Sequence, residues 1–535
     1  MPDRSRRWLR AALALTALTA STLSLAGPPS PADAAPPPAS AAAGTRAIPP
    51  LPDDLEQIRR AEAVRLYGSP EIRPADQRRT AITTLGDSEI SGEGVGNYEP
   101  GTHGPDNWCD RSLDAAVHRT GIPVDLTLNL ACSGGRSANL VYRSDEHQYD
   151  DLNQGDNLAI KARNTRLKLV WIVISANDYG GVEFGPVISD CVKRRVLFQG
   201  NCWPEYTDGW QRRVDGSQAG AEQAVRSVRQ TMRDAGYADG DYQLVLMSYP
   251  TPTGPDVEDN PDFPGWYGGG CLAYLKDMAF ARNKAVPLFA QAVRRAAENT
   301  GARFLDASRL FDGHEVCSDN TWARGLTIEN GNLLDPHALQ QSFHPNERGH
   351  GAFASCMAAF YRNPQWTKAT CVDPASTGST TLIPGLLEFR QLRNPATGLC
   401  ADAEGYNARN GTAVLAWTCH GGRNQAFWYD AQRRSVHSEL THDRCLDVPN
   451  QNLVPGQRVQ LWNCNGSAAQ TWTTDGGRLR PTADTTLCLA TGGTAKGAPL
   501  VLARCDGGAA QQWASEVRTT LSGYGHDDWI PSRAY

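Results

Sequence analysis

The chain has 535 residues, of which 40% are hydrophobic and 21% are charged. This composition is typical of globular proteins and excludes global disorder, and the length allows about two to four domains. The formal net charge is −6 and the pI is about 6.0, which excludes a basic surface for nucleic acid.

The N-terminus has the three parts of a secretory signal peptide. Four arginines precede an apolar run rich in Ala and Leu, and Ala32-Asp33-Ala34 is an A-x-A cleavage site. We therefore predict a signal peptide over 1–34 and a secreted, extracellular protein with no membrane span. Whether export uses the Sec or the Tat route stays open. An Ala/Pro-rich leader and a polar helical extension of unknown purpose are predicted over 35–79, with the helix at 55–67.

From residue 80 to residue 372, apolar runs alternate with amphipathic helical patterns. Strands are predicted at 80–85, 124–131, 167–175, 242–248 and 303–306, and helices at 218–235, at 277–299 and from Pro345 to residue 361. Alternation of strands and helices at these lengths is typical of a mainly parallel sheet that helices cover on both faces.

Four short polar motifs lie in this region, three at strand ends and one before the last helix. They are Gly86-Asp87-Ser88, Ala131-Cys132-Ser133-Gly134, Ser175-Ala176-Asn177-Asp178 and Ser342-Phe343-His344-Pro345-Asn346. Open α/β sheets place their sites at the carboxyl ends of strands, which agrees with these positions. The ordered set resembles the GDSL/SGNH hydrolases, in particular their secreted actinobacterial branch.

The resemblance implies an α/β/α three-layer sandwich, flavodoxin-like, with a mainly parallel five-stranded sheet over 80–372. It also implies a serine esterase in which Ser88 is the nucleophile and His344 takes its proton. The family's oxyanion donors correspond here to the backbone N–H groups of Ser88 and Gly134 and to the side chain of Asn177. We expect no cofactor and no metal ion, because the sequence has no cluster of metal ligands.

Two positions depart from the family pattern. Ser175 stands where a glycine usually precedes the oxyanion asparagine, and Gln341 stands where most members have an aspartate three residues before the histidine. Because a neutral amide cannot balance an imidazolium charge, we predict a Ser–His dyad. Its histidine would be oriented by the Gln341 side chain or by a nearby main-chain oxygen. We also expect the pKa of His344 to be less elevated than in a charged triad, so that activity persists at lower pH.

A linker is predicted at 373–386, and short strands with Gly/Asn turns follow it. Three segments then repeat at a period of about 45 residues. They carry the signatures Asn424-Gln425-Ala426-Phe427, Gln470-Thr471-Trp472 and Gln511-Gln512-Trp513. This pattern resembles a ricin B-type lectin, an all-β β-trefoil, over 387–516, with a tail at 517–535. The aromatic residues of the three signatures are expected in the core.

Sugar recognition requires a carboxylate for vicinal hydroxyls, an amide donor and an aromatic face. By resemblance to the lectin family, the second repeat keeps this set as Asp447, Gln460, Trp462 and Gln470. The first repeat keeps Asp402, Trp417, Asn424 and Gln425, with Leu415 in place of one glutamine. The third has Ala490, Val501 and Ala503 at these positions and is expected to be structural only. A relic fold without sugar binding is the alternative.

The 14 cysteines fall into neighbouring pairs, as expected of an exported, disulfide-bonded chain. Connectivity does not follow from sequence alone, and sequential pairing is the simplest hypothesis. The pairs are Cys109/Cys132, Cys191/Cys202, Cys271/Cys317, Cys356/Cys371, Cys400/Cys419, Cys445/Cys464 and Cys488/Cys505. A structural metal site is disfavoured because CxxC spacing and clustered histidines are both lacking.

These features favour a secreted carboxylic ester hydrolase that its lectin domain targets to polysaccharide. The combination suggests an ester on a glycan, such as acetylated xylan. Two alternatives stay open: a lipase or phospholipase, which would need a long apolar acyl groove, and a non-catalytic carbohydrate-binding protein. The expected partners are an ester substrate and a glycan, with no nucleic acid, and the chain is expected to be a monomer.

Overall fold

A computed structural model describes residues 48–254, 273–316, 318, 320–327, 337, 339–441 and 443–517. The predicted signal peptide, the leader up to residue 47 and the tail beyond residue 517 lie outside these residues. Within them, none of the helices combines the length and the hydrophobicity that crossing a membrane requires.

A seven-stranded sheet forms the centre of the N-terminal part. Its strands are β1 (Thr80–Gly86), β2 (Leu126–Asn129), β3 (Arg166–Val173), β4 (Gln243–Met247), β5 (Arg303–Asp306), β6 (Lys368–Val372) and β7 (Thr381–Pro384). Their order is β2-β1-β3-β4-β5-β6-β7, and only the β6–β7 pair is antiparallel. Consecutive residues of β1, β3 and β4 are buried, as predicted for a sheet covered on both faces.

The five predicted strands are all present, and the sheet has two more than expected. The two additional strands are β6 and β7. Strand β7 lies in the segment predicted as a linker, 373–386, and pairs with β6. It is only four residues long, and its side chains are mostly half-buried. A run this short has no readable hydrophobic period, so composition alone suggested a linker there.

Ten α-helices are present in the described ranges. They are α1 (Asp53–Tyr67), α2 (Ser88–Ser91), α3 (Ala116–Arg119), α4 (Gln154–Asn164), α5 (Phe184–Val196), α6 (Trp203–Thr207), α7 (Trp210–Asp234), α8 (Leu275–Phe280), α9 (Val286–Thr300) and α10 (Glu347–Tyr361). Helix α7 packs against α4 and α9, and α10 packs against α3, which gives two helical layers. The helix predicted at 277–299 is divided by a π-helical turn, Ala281–Ala285, between α8 and α9.

The C-terminal part is all β and has its own apolar core. Its strands are β8 (Arg390–Arg393), β9 (Leu399–Ala403), β10 (Thr412–Thr418), β11 (Ala426–Asp430), β12 (Ser435–Ser438), β13 (Arg444–Asp447), β14 (Gln460–Asn463), β15 (Trp472–Asp475), β16 (Arg478–Pro481), β17 (Leu487–Thr491), β18 (Ala498–Arg504) and β19 (Ala514–Val517). The hairpins β9–β10, β13–β14 and β17–β18 mark the three repeats. Phe427, Trp472 and Trp513 are buried, as predicted.

A buried arginine joins the two parts of the chain. The guanidinium of Arg423, between β10 and β11, donates to the carbonyl of Arg282 (3.1 Å) and to the side-chain oxygen of Asn283 (2.8 Å). It also donates to the Glu439 carbonyl (2.9 Å). A buried charge requires polar partners, and two of these three lie on the α/β fold, so the β-trefoil is docked on it beside the π-helical turn.

Six of the seven predicted disulfides are confirmed. They are Cys109–Cys132, Cys191–Cys202, Cys356–Cys371, Cys400–Cys419, Cys445–Cys464 and Cys488–Cys505. Each of the last three joins the first strand of one repeat hairpin to the residue that directly follows the second strand. In the α/β part, Cys356–Cys371 ties α10 to β6.

The seventh predicted disulfide, between Cys271 and Cys317, is not confirmed. Unlike the other predicted pairs, Cys271 and Cys317 both lie outside the described residues. The six confirmed bonds use 12 of the 14 cysteines, so Cys271 and Cys317 are the two that remain. Their pairing therefore stays a prediction.

The end of β1 yields a stability prediction. A Cβ atom on Gly86 would lie 1.9 Å from the backbone oxygen of Val173, and Gly86 has φ +148°. Because backbone cannot move aside cheaply, Gly86→Ala should lower the melting temperature by about 5 °C or more, measured by scanning fluorimetry. Gly240→Ala is the matched control, since nothing lies within 4 Å of a Cβ there. Equal melting temperatures for the two variants would contradict the packing described.

Candidate active site

Ser88 lies where β1 gives way to α2. Asp87 precedes it as the N-cap of α2, and the Asp87 carboxylate accepts from the backbone N–H of Glu89 (3.1 Å). The turn is held from behind by Gln154, whose amide binds both the N–H and the carbonyl of Gly86 (2.8 Å each). The side chain of Ser88 is therefore presented at the carboxyl end of the sheet in a fixed position.

His344 reaches this serine from a distant part of the chain. His344 lies in the loop just before α10, and its Nε2 is 2.7 Å from the Ser88 Oγ. With Oγ–H as donor, Nε2 accepts, and the proton of the neutral ring lies on Nδ1. Asn346 fixes the start of α10 by accepting from the backbone N–H groups of Arg348 and Gly349. The structure thus brings the predicted nucleophile and the predicted base into direct contact.

The predicted contact between Gln341 and His344 is wrong. The Gln341 side-chain oxygen accepts from Arg324 (2.9 Å), and His344 Nδ1 has no hydrogen-bond partner among the described residues. Burial lowers the pKa of His344 to about 4, while the main-chain oxygens of Ser342 and Gln340 act in the opposite direction. Main-chain oxygens, the other predicted orienting group, are therefore the polar atoms that favour the charged ring.

The three residues predicted to donate to the oxyanion, Ser88, Gly134 and Asn177, line the same cavity as His344. In the described part of the chain, the backbone N–H groups of Ser88 and Gly134 donate to no other group. The Asn177 amide donates to the Gly135 carbonyl (3.2 Å), and an amide has a second N–H to offer. The disulfide Cys109–Cys132 fixes the segment that carries Gly134.

Ser175, one of the two departures from the family pattern, has a backbone conformation that favours glycine. Its φ is +95°, in the left-handed region where side chains are strained and glycine is favoured. Its carbonyl accepts from Ser217 Oγ (3.0 Å) on α7, which holds this conformation. Two residues further on, Asn177 keeps its place at the cavity, so the serine changes the backbone energy and not the arrangement of the site.

A buried polar network that the sequence did not indicate joins three of the four motifs. Ser133 donates to the Glu93 carboxylate, and the Gln340 amide donates to Ser133 Oγ (2.9 Å) and to Glu93 (3.3 Å). Glu93 is fully buried. These residues lie beside the Ser88 turn, Gly134 and the His344 loop. The only available signal was a carboxylate between two glycines, Gly92 and Gly94, just after the first motif.

A second buried acid, Asp87, lies next to Ser88. Tyr249, two residues after β4, donates its hydroxyl proton to the Asp87 carboxylate. Burial raises the pKa of Asp87 to about 7, although the hydrogen bond from Tyr249 lowers it. Burial also raises the pKa of Glu89 well above its usual value. The cavity lined by Ser88 and His344 therefore also holds carboxyl groups that ionise at unusually high pH.

An apolar cavity of about 480 Å³ opens beside Ser88. Its walls come from α5, from α8 with the π-helical turn, and from the loop before His344. The apolar lining includes Phe184, Val187, Ile188, Val192, Trp210, Met278, Phe280, Ala285, Leu326 and Phe343. A volume of this size is typical of a small-molecule site that buries most of its ligand.

The trefoil repeats differ in the residues that face each other across each hairpin. Asp447 lies opposite Gln460 in the second repeat, and Asp402 lies opposite Leu415 in the first. In the third, Ala490 lies opposite Val501. The Gln460 amide donates to Asp447 (2.8 Å), so among the three hairpins described only the second pairs a carboxylate with an amide across its two strands.

Two glutamines predicted to bind sugar are instead internal supports. Gln425 and Gln470 are buried, and each donates to the repeat's aspartate and to a main-chain carbonyl. Gln511 makes the same main-chain contact in the third repeat, which has no aspartate. Asn424 is also buried and donates to Asp402 (2.9 Å). These amides position the carboxylates and are not presented to a ligand.

Comparison with known proteins places both parts in families. The GDSL-like Lipase/Acylhydrolase family model matches residues 84–352, and the Ricin-type beta-trefoil lectin domain model matches residues 388–451 and 434–526. A lipase of Streptomyces rimosus is 25% identical over 298 residues, which are 54% of this chain and 89% of the lipase.

Solved structures similar to each part are also known. The phospholipase A1 of Streptomyces albidoflavus NA297 is 20% identical, with 52% of this chain and 97% of that one covered and a TM-score of 0.33. The C-half of an earthworm R-type lectin, in complex with GalNAc, is 20% identical, with 24% and 98% covered and a TM-score of 0.22.

The aromatic residues of the first two repeats yield a binding prediction. Trp462 is 40% exposed, whereas Trp417 is half-buried and the Lys496 ammonium lies over the remaining open part of its ring, 4.1 Å from the centroid. Because an open aromatic face is needed to stack on a sugar ring, Trp462→Ala should weaken glycan binding about tenfold. Trp417→Ala, the matched control, should keep it, as measured on a glycan array. Loss in the control with retention in Trp462→Ala would contradict this assignment.

Proposed function

Because the chain belongs to the GDSL-like lipase/acylhydrolase family, we propose that it hydrolyses esters of long acyl chains with Ser88 as nucleophile and His344 as base. The chain is an ester hydrolase that also carries a ricin B-type lectin domain. The observation that carries the finer proposal is the apolar cavity of about 480 Å³ that opens directly beside the Ser88–His344 contact.

The chemistry follows from the contact between the two residues. Ser88 Oγ attacks the ester carbonyl carbon as His344 Nε2 takes its proton, and the carbonyl oxygen becomes an oxyanion. The N–H groups of Ser88, Gly134 and Asn177 are the donors proposed for it. The C–O bond to the alcohol then breaks, and the alcohol leaves with the proton held by His344. Water then attacks the acyl-serine in the same way, with His344 taking its proton. The C–O bond to Ser88 breaks, the acid is released and Ser88 Oγ regains its proton from His344.

The shape of the cavity favours a long acyl chain over acetate. An acetyl group offers one methyl group to a cavity lined by α5 and α8, and most of the apolar wall would stay uncovered. Each further methylene that enters contributes about 0.8 kcal/mol of binding. A lipase-like substrate therefore agrees with the cavity better than acetylated xylan does, although the lectin domain keeps a glycan as the target surface.

Filling the cavity should shorten the preferred acyl chain. Val187 on α5 is buried and lines the cavity, so Val187→Phe should lower kcat/KM for p-nitrophenyl dodecanoate at least about tenfold, since several methylenes lose their place. The value for p-nitrophenyl acetate should change less than about twofold, because one methyl group does not reach that wall. Both rates are measured on the same preparations, with Ser88→Ala as the inactive reference.

The matched control uses the same helix. Val196 is exposed near the end of α5 and lines no part of the cavity. Val196→Phe should therefore leave both rates unchanged. Acetate release from acetylated xylan that exceeds hydrolysis of the dodecanoate, or an equal loss of both aryl esters in Val187→Phe, would contradict the long-chain proposal.

The buried base should give an unusual pH profile. His344 accepts a proton only when neutral, so activity is lost as the pH falls through its pKa. Because burial lowers this pKa to about 4, kcat/KM for a short aryl ester should be half-maximal near pH 4. A half-maximal point at or above the ordinary histidine value of about 6.5 would contradict the assignment.

Two nearby acids need a control, since they also titrate in this cavity. Burial raises the pKa of both Asp87 and Glu89. Asp87→Asn keeps an N-cap side chain for α2, and Glu89→Gln keeps the shape of its side chain. The acid limb of the profile should stay in place in both variants if His344 sets it. A limb that moves with either substitution would assign it to the carboxyl group.

A further inference from the structure

A polar groove of about 400 Å³ meets the oxyanion donors beside the apolar cavity. Gly134 and Asn177 line both spaces, and Ser133 and Tyr149 are also shared. The rest of the groove is formed by other residues. They are Arg136, His147, Gln148, Tyr179, Glu183 and Pro186. Nothing in the proposed reaction uses these side chains.

The geometry of the proposed reaction requires a second space for the alcohol part of the ester. An ester carbonyl bound at Ser88 has an acyl chain on one side of the reacting carbon and an alcohol on the other. If the acyl chain fills the apolar cavity, the alcohol must extend from the oxyanion donors into another space. The groove starts at the same two donors, Gly134 and Asn177, and its walls are more polar than those of the apolar cavity. It is therefore the space suited to the alcohol.

The chemistry of the groove fits a sugar ring. Tyr179 is 79% exposed, and the Arg136 guanidinium lies 4.1 Å from its ring centroid. This contact fixes the ring and leaves most of its surface open for the C–H face of a sugar. Tyr149, which is 41% exposed, adds a second ring at the junction with the apolar cavity. Exposed His147 and the Glu183 carboxylate offer hydrogen bonds to hydroxyl groups.

The charges of the groove argue against a phosphate headgroup. The Arg136 guanidinium is already paired with the Glu146 carboxylate. Glu183 adds a second carboxylate, whose partner Arg213 (3.0 Å) lies outside the groove. A phosphate in the groove would meet the Glu183 carboxylate, and the one arginine among the described lining residues, Arg136, is already paired. A neutral polyhydroxy ring meets no such repulsion.

We propose that this groove is the alcohol-side subsite and binds a sugar ring, so that the preferred substrate is a long-chain acyl ester of a sugar. This inference rests on the proposed function, because it takes the acyl chain to lie in the apolar cavity. It also gives the lectin domain a consistent purpose, since a glycan-bearing surface is where acylated sugars are displayed.

The test compares how fast the full mature chain hydrolyses two esters of the same acid. Sucrose monododecanoate carries a sugar alcohol and methyl dodecanoate does not, and released dodecanoic acid is measured for both. Wild type should prefer the sucrose ester. Tyr179→Ala should lower kcat/KM for it about five- to tenfold and change the methyl ester less than about twofold. Tyr179→Phe should keep wild-type rates, because stacking needs the ring and not the hydroxyl.

The control variant removes a similar ring elsewhere. Phe198 is 69% exposed, lies under the Arg195 guanidinium and lines neither space. Phe198→Ala should leave both esters unaffected. The inference is overturned if wild type shows no preference for the sucrose ester or if Tyr179→Ala slows both esters equally. Didodecanoyl phosphatidylcholine cleaved faster than the sucrose ester, with the same dependence on Tyr179, would also overturn it and assign the groove to a phosphate.

The outcomes also separate this inference from the proposed function. If wild type cleaves p-nitrophenyl and methyl dodecanoate but not the sucrose ester, only the sugar subsite fails. If wild type cleaves none of the dodecanoates, the long-chain proposal itself fails, and the sugar subsite fails with it.

Discussion

The close contact between the ends of neighbouring backbone segments is the constraint on which the active site depends. A Cβ on Gly86 would lie 1.9 Å from the Val173 oxygen, and one on Gly135 would lie 2.6 Å from the Gly86 oxygen. Gln154 locks Gly86 from a third direction. Three segments are therefore fixed relative to one another by backbone packing. Ser88, Gly134 and Asn177, which lie on these segments, therefore need little further support to keep their positions.

Burial has two consequences for the chemistry at this point. It keeps the imidazole of His344 neutral, so the proposed base, which has no carboxylate partner among the described residues, remains able to accept a proton over a wide pH range. It also places the proposed oxyanion next to apolar walls, where a lower dielectric constant strengthens each hydrogen bond to it. The apolar cavity and the more polar groove meet at Gly134 and Asn177, and we propose that they hold the acyl chain and the alcohol of the ester, respectively.

Much of this could be predicted because the patterns are local. The strand ends carry short motifs, and the repeats carry cysteines and Q-x-W signatures at regular spacing. What could not be predicted depends on distant contacts. Strand β7 is too short to show a period, and the bond from Gln341 to Arg324 is a choice between partners that sequence spacing does not reveal. The internal use of Gln470 likewise depends on burial, which follows only from the packed repeat.

The most direct test is a crystal structure of the chain after reaction with a dodecyl phosphonate that modifies active serines. The account predicts phosphorus bonded to Ser88 Oγ and its oxygen directed at Gly134 and Asn177. The dodecyl chain should lie in the apolar cavity, alongside Val187. A dodecyl chain lying in the groove at Tyr179, or a phosphonate bonded to any residue other than Ser88, would contradict it.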